Sequence, residues 1–62
     1  MMTKYLVSFY NDQDAFLEAV AVETESSDIK YIKKLAKNES RYHIDKDCKI
    51  TIFDDDIQEY IN

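Results

Sequence analysis

The stretch KYLVSFYNDQDAFLEAVAVETE, residues 4–25, decides the fold. Residues 4–10 are rich in aromatic and β-branched side chains, which suits a strand. Asn11, Asp12, Gln13 and Asp14 form a turn cluster. Residues 15–25 admit two readings. Residues 14–21 read as the opening of a short helix, whereas Val20-Ala21-Val22-Glu23-Thr24 favours a strand. Register arbitrates in favour of the strand. A three-residue loop at 12–14 pairs Phe9 with Leu17, Val7 with Ala19 and Tyr5 with Ala21, gathering an apolar set on one face. A two-residue loop at 12–13 sets Val7 opposite Glu18, which is worse. The other face then holds Tyr10 with Phe16 and Leu6 with Val20. Both faces of this hairpin are partly apolar, and both need cover.

Outward from the hairpin, residues 27–38 read as a helix. Ser27 is the expected N-cap, and Asp28 suits the positive end of the helix dipole. Ile29, Ile32, Leu35 and Ala36 share one face at helical spacing. Lys30, Lys33, Lys34 and Lys37 share the other. Asn38 is expected to end the helix in a left-handed conformation. Residues 41–53 read as a second hairpin around the loop Asp45-Lys46-Asp47. That loop pairs Ile44 with Cys48 and Tyr42 with Ile50, and puts His43 with Lys49 on the opposite face. Residues 54–61 read as a short closing helix, with Asp56 and Glu59 at capping-box spacing and Ile57, Tyr60 and Ile61 as its apolar patch. The expected fold is one α+β domain over residues 1–62. It has a small, mainly antiparallel sheet in the order ββαββ, packed by the lysine-bearing helix, plus a short C-terminal helix.

Size and composition bound what such a domain does. A chain of 62 residues buries only about 60% of its unfolded surface, so its stability is marginal unless something staples it. The single cysteine forms no internal disulfide, and Cys48 with the single His43 cannot build a four-ligand zinc site. Association with a second copy or a partner is therefore favoured. No apolar run approaches the ~20 residues that span a bilayer, and no signal-peptide pattern opens the sequence. A free thiol fits a reducing cytoplasm. Five tyrosines, three phenylalanines and a 45% hydrophobic content mark a folding sequence rather than an acidic tail. Glycine and proline are both missing. Turns must then rest on Asn, Asp, Ser or Lys, and no phosphate-cradling glycine loop exists.

Charge is sorted by position. The 13 acids and 8 bases give a net charge of −5. Residues 12–25 carry five acids and no base, 30–37 four lysines and no acid, and 54–59 four acids and no base. A field of one sign attracts the opposite sign. The lysine face alone does not mark a nucleic-acid binder, because such domains are basic overall. The acidic blocks read either as a solvated surface or as a docking surface for a basic groove, including one that otherwise holds nucleic-acid phosphates. Catalysis is not expected. Cys48 falls on the core face of the second hairpin and His43 on the other, so the thiol has no base beside it. The pair Asp45 and Asp47 reads as turn chemistry, and Asp54, Asp55 and Asp56 as helix capping. Neither is read as a Mg²⁺ or Ca²⁺ site, because a calcium loop needs more ligands and a glycine at its bend.

The opening Met2-Thr3-Lys4-Tyr5-Leu6-Val7-Ser8-Phe9-Tyr10-Asn11-Asp12 resembles the first strand of small proteins from phages of low-GC Gram-positive bacteria. The very short, acidic, Lys/Asn/Ile/Tyr-rich style is similar to phage accessory proteins, anti-CRISPR and other anti-defence inhibitors among them. The pattern is not followed beyond residue 14, and no functional residue is carried over. What the resemblance implies is a phage-encoded inhibitor in the host cytoplasm that binds a host protein, in some cases at its nucleic-acid groove.

The expected function is thus a non-enzymatic binding protein without cofactor or metal, making no direct contact with nucleic acid or membrane. Asp54, Asp55, Asp56 and Glu59, with Asp12, Asp14 and Glu18, would meet a basic surface on a host protein. Tyr10, Phe16 and Tyr60 would supply apolar anchors. The alternative is a small homodimer or assembly component whose acidic surface only keeps it dissolved.

Overall fold

The computed structural model describes residues 1–42 and 48–62. The chain runs β1 (Thr3–Tyr10), β2 (Phe16–Thr24), α1 (Ile29–Glu39), β3 (Lys49–Asp54) and β4 (Glu59–Tyr60). The four strands form one antiparallel sheet in the order β2-β1-β3-β4, with α1 packed on one face. This is the expected α+β class; the order ββαββ fits only roughly, because β4 falls where the short C-terminal helix was expected.

β1 is the central strand, and its alternation explains why. Tyr5, Val7 and Phe9 are buried, whereas the alternating Lys4 and Leu6 are exposed and Ser8 is half-buried. The core joins those three side chains to Val20 and Val22 of β2, Ile52 of β3, and Ile32 and Ala36 of α1. Ile29 and Leu35 of the helix, with Cys48, Ile50 and Ile61, pack around them.

The β1–β2 register differs from the expected one by a single residue. Tyr10 lies opposite Phe16, as read from the sequence, but Phe9 lies opposite Glu18, Val7 opposite Val20, Leu6 opposite Ala21 and Tyr5 opposite Val22. Leu17 is the extra residue of a β-bulge. The slip exchanges the side chains of β2 beyond the bulge between the faces. It puts Val20 and Val22 in the core and leaves Ala19 and Ala21 on the other face. At about 0.8 kcal/mol per buried CH₂, two valines in place of two alanines favour the slipped register by ~3 kcal/mol. That outweighs one unpaired residue at the end of a strand.

The helix starts one residue later than expected. Asp28, not Ser27, is the N-cap, and its carboxylate accepts from the Lys30 N–H. Two similar links lead up to it: Thr24 Oγ1 accepts from the Ser26 N–H, and Ser26 Oγ from the Asp28 N–H. Three successive side chains thus carry the chain from β2 into α1 by local hydrogen bonds. The helix also runs through Asn38 to Glu39 and ends on Ser40 in an extended conformation, its N–H bonded to the Lys37 carbonyl. Asn38 therefore does not end it in a left-handed turn.

The second hairpin expected over residues 41–53 is not formed as read. Arg41 and Tyr42 lie in a turn after α1, and β3 pairs with β1, setting Ile50 against Phe9 and Ile52 against Val7. The expected Tyr42–Ile50 pair is therefore absent. The expected partners Ile44 and His43 and the loop Asp45-Lys46-Asp47 lie outside the described residues. β2 and β3 are each antiparallel to β1, hence parallel to one another, and parallel strands need a long crossover such as α1. Pairing β3 with β1 buries Ile52 completely, which an isolated hairpin could not do.

The short C-terminal helix is replaced by a turn and β4. Asp54 Oδ1 accepts from the backbone N–H groups of Asp56 (2.9 Å) and Ile57 (3.3 Å), which bends the chain instead of capping a helix. Gln58 then sits in the left-handed region at φ 57°. Beyond it, Tyr60 returns opposite Phe53 and Glu59 opposite Asp54. The β1–β2 turn uses the same device. Asn11 Oδ1 accepts from Gln13 N–H (2.8 Å) and Ala15 N–H (3.0 Å), and Asp14 is left-handed at φ 63°. A chain without glycine thus makes its tight turns by an Asn or Asp side chain at the start and a strained residue at the end. The strain is testable. A left-handed non-glycine residue costs roughly 1 kcal/mol, so Gln58→Gly raises stability by about 0.5–1 kcal/mol, read as a higher urea midpoint. An unchanged or lower midpoint would mean that Gln58 bears no strain.

Candidate protein-interaction surface

The sheet has one face under α1 and one face without cover among the described residues. Alternation puts Lys4, Leu6, Ser8 and Tyr10 of β1 on the open face, with Phe16, Ala19, Ala21 and Glu23 of β2, Thr51 and Phe53 of β3, and Tyr60 of β4. Phe16 is 60% exposed, Tyr60 68% and Leu6 41%. Two of these are aromatic rings and the third is a leucine, all on the one face of the sheet that α1 does not cover, and exposed large apolar side chains on one face mark interaction sites. Ile57 is also exposed, in the β3–β4 turn, and Ile61 packs against the core. The C-terminal segment therefore covers only Phe53.

The face has an approximate twofold pattern. β1 and β3 are its antiparallel centre, and each carries a hairpin partner outward. At one end Tyr10 and Phe16 meet edge to face, ring centroids 5.9 Å apart. At the other end Phe53 and Tyr60 do the same at 5.0 Å. In each pair the first ring directly precedes the side chain that starts the turn, Asn11 or Asp54. Each ring pair contributes ~0.5–1.5 kcal/mol beyond its area, so the turns and the rings brace each other.

The carboxylates read from the sequence as one acidic set divide into three places. Asp12 and Asp14 lie in the β1–β2 turn. Asp54, Asp55, Asp56 and Glu59 lie at the β3–β4 turn, where the Asp55 N–H reaches the Lys4 carbonyl at 3.0 Å. Tyr10 pairs with Lys49 and Tyr5 with Asp54, so roughly 17 Å of strand separates the two turns at ~3.4 Å per residue. Each acidic turn therefore borders its own ring pair. Asp14 is also ion-paired with Lys49, a link across the surface that adds little stability.

Glu18 stands apart from both. It lies opposite Phe9, on the helix side of the sheet. Its carboxylate accepts from Ser40 Oγ (2.6 Å) and from the Arg41 N–H (2.9 Å), tying β2 to the end of α1. The Ser40 hydroxyl first, then the Arg41 N–H, hold its carboxyl below the usual 4.5. A group whose pKa is lowered by folding stabilises the fold above its unfolded value and loses that effect as pH falls through the folded value. Glu18→Gln is therefore expected to melt below the native chain at pH 7, with the difference closing as the pH drops below 4.5. A constant difference in melting temperature across that range would show that the tether does not depend on charge.

The sequence did not single out Ser40, which is buried at the helix end. Its signal was present, because a serine next to Arg41 just past a lysine-rich helix suits a carboxylate partner. Cys48 is half-buried against the core, and the Cys48–His43 pairing lies outside the described residues. Among the described residues, no group of three or more His, Cys, Asp or Glu is arranged to hold a metal ion, and no helix is long and apolar enough to cross a membrane. Four lysines of α1, Lys30, Lys33, Lys34 and Lys37, line a shallow groove with Asn38 on the side away from the sheet. Comparison with protein-family models, with curated proteins and with solved structures finds no match to this chain.

Proposed function

We propose that this chain is a non-enzymatic binding protein that docks on a partner through the open face of its sheet. The observation that carries the reading is the pair of ring clusters, Tyr10–Phe16 and Phe53–Tyr60, each beside an acidic turn. A few buried aromatic anchors supply most of the binding energy of an interface. Flanking carboxylates choose a partner with basic groups around an apolar patch and speed its approach. Asp12 and Asp14 serve one end, and Asp54, Asp55, Asp56 and Glu59 the other. Glu18 acts from within, by holding β2 and α1 in place. A phage-encoded inhibitor that occupies a basic groove of a host protein, as the resemblance of the opening strand implies, is one form of this function.

The second reading is a homodimer closed over the same face. The small core, eight buried apolar side chains among the described residues, favours it, because a chain of this size gains from any surface it can share. The experiment that tests the docking reading is affinity capture from the native cell with the native chain and with the Phe16→Ser/Tyr60→Ser variant, followed by sedimentation of what is recovered. Loss of the bound partner, or of the dimer, in the variant supports the open face. Full retention rejects it.

A further inference from the structure

We propose that the outer edge of β2, from Ala19 to Glu23, is a strand-addition site for an extended basic segment of the docked protein. The inference deepens the docking reading by naming the form of the partner and the backbone it pairs with.

β2 is an edge strand of the sheet and, at nine residues, its longest strand. Its pairing to β1 leaves the other side without a strand among the described residues. An antiparallel edge turns alternate N–H and C=O groups outward, where a further strand can pair with them. The opposite edge is protected. β4 is two residues long, and Ile61 and Asn62 continue along β3, bonding to Ile52 at 2.8 and 3.3 Å. β2 has no such protection over 19–23. It contains no proline and no lysine, its bulge lies at its first turn, and the exposed Ala19 and Ala21 leave room for close approach.

A cleft runs between β2 and α1, lined by Ala21, Val22, Glu23, Leu35, Asn38 and Glu39, with a volume of about 230 Å³. A strand laid along β2 would place alternate side chains in this cleft, over Leu35. Charge selects the occupant. Glu39 lines the cleft from α1 and Glu23 borders it from the open face. Beyond its ends Glu18 is held by Ser40 and the Arg41 N–H, and Glu25 pairs with the N-terminal amine of Met1. It is therefore Glu23 and Glu39 that would meet the segment, and no Lys or Arg occurs from 5 to 29. The lysines of α1 line the separate groove on its far side. A second copy of β2 would bring glutamates against glutamates, so the segment that fits carries Lys or Arg between apolar residues.

The test is a titration of the ¹⁵N-labelled chain with a capped octapeptide of alternating lysine and valine. The expected result is saturable binding, with amide shifts centred on Ala19–Glu23 and on Leu35, Asn38 and Glu39. Alternate N-methylation of the peptide removes its pairing edge at equal charge and weakens binding at least about tenfold. Glu23→Lys/Glu39→Lys does the same, and Tyr31→Ser, on the exposed surface of α1, binds as the native chain does. Equal binding of the N-methylated peptide would overturn the proposal. So would shifts confined to Leu6, Phe53 and Tyr60 or to the lysine face, or no binding at millimolar peptide. Concentration-dependent broadening of β2 without peptide would make a second copy the occupant and overturn it too. A failed titration together with partner loss in the Phe16→Ser/Tyr60→Ser variant would remove the edge and leave the open face standing.

Discussion

Phe9→Ala is expected to cost the fold about 3–5 kcal/mol, the largest loss of any substitution considered for stability. Phe9 is fully buried on the central strand, with Glu18 and Ile50 opposite it on either side. Truncating a buried phenylalanine costs about 3–5 kcal/mol, from lost transfer energy and the cavity left behind. A domain of this length has only about 3–9 kcal/mol in hand at 0.05–0.15 kcal/mol per residue. The substitution therefore removes between a third of that stability and all of it. Urea unfolding followed by circular dichroism measures it, with Leu6→Ala as the control on the other face of the same strand. Leu6 is partly exposed, and its truncation is expected to cost less than about 1 kcal/mol. Similar losses for the two variants would contradict the assignment of the faces of β1.

The second large effect falls on binding. Phe16→Ser with Tyr60→Ser removes one exposed ring from each cluster of the open face. A buried interface ring truncated to a small residue costs about 2 kcal/mol or more, so the pair lowers affinity about a thousandfold. The fold should survive. Both residues are largely exposed in the lone chain, and what is lost is two edge-to-face ring contacts, about 1–3 kcal/mol in sum. The two large predictions thus separate cleanly. Phe9 is needed to fold and Phe16 with Tyr60 to bind.

Much of the fold was legible in residues 4–25 and 27–38, because periodicity there is strong and each element buries one face. The helix face Ile29, Ile32, Leu35 and Ala36 and the ring pair Tyr10–Phe16 are as read. The slip at Leu17 was not legible, because Ala19 and Ala21 are apolar too, and only volume distinguishes them from Val20 and Val22 in the core. The pairing of β3 with β1 was hidden for another reason. Pairing neighbours in sequence is the default, whereas β1 needed a partner on both edges to cover Tyr5, Val7 and Phe9, and that is a property of the whole sheet. Asp54 misled because an aspartate that caps a helix and one that closes a tight turn accept the same kind of N–H bond. The decisive cue was Gln58, whose left-handed conformation its residue type does not announce. The acidic blocks were read along the chain as one surface. The antiparallel centre of the sheet sends the two turns to opposite ends, so proximity of charge in sequence did not become a single patch.

The central claim is that the uncovered sheet face is where this chain meets another. The most direct measurement compares three tagged forms recovered from the native cell: the native chain, the Phe16→Ser/Tyr60→Ser variant, and a Tyr31→Ser/Lys34→Ser control on the exposed helix surface. The account predicts that the native chain and the helix control sediment with the same partner, or as the same dimer, and that the Phe16→Ser/Tyr60→Ser variant sediments as a folded, solitary monomer. A variant that keeps its full complement of partner, or a native chain that comes out of the cell alone, would contradict it.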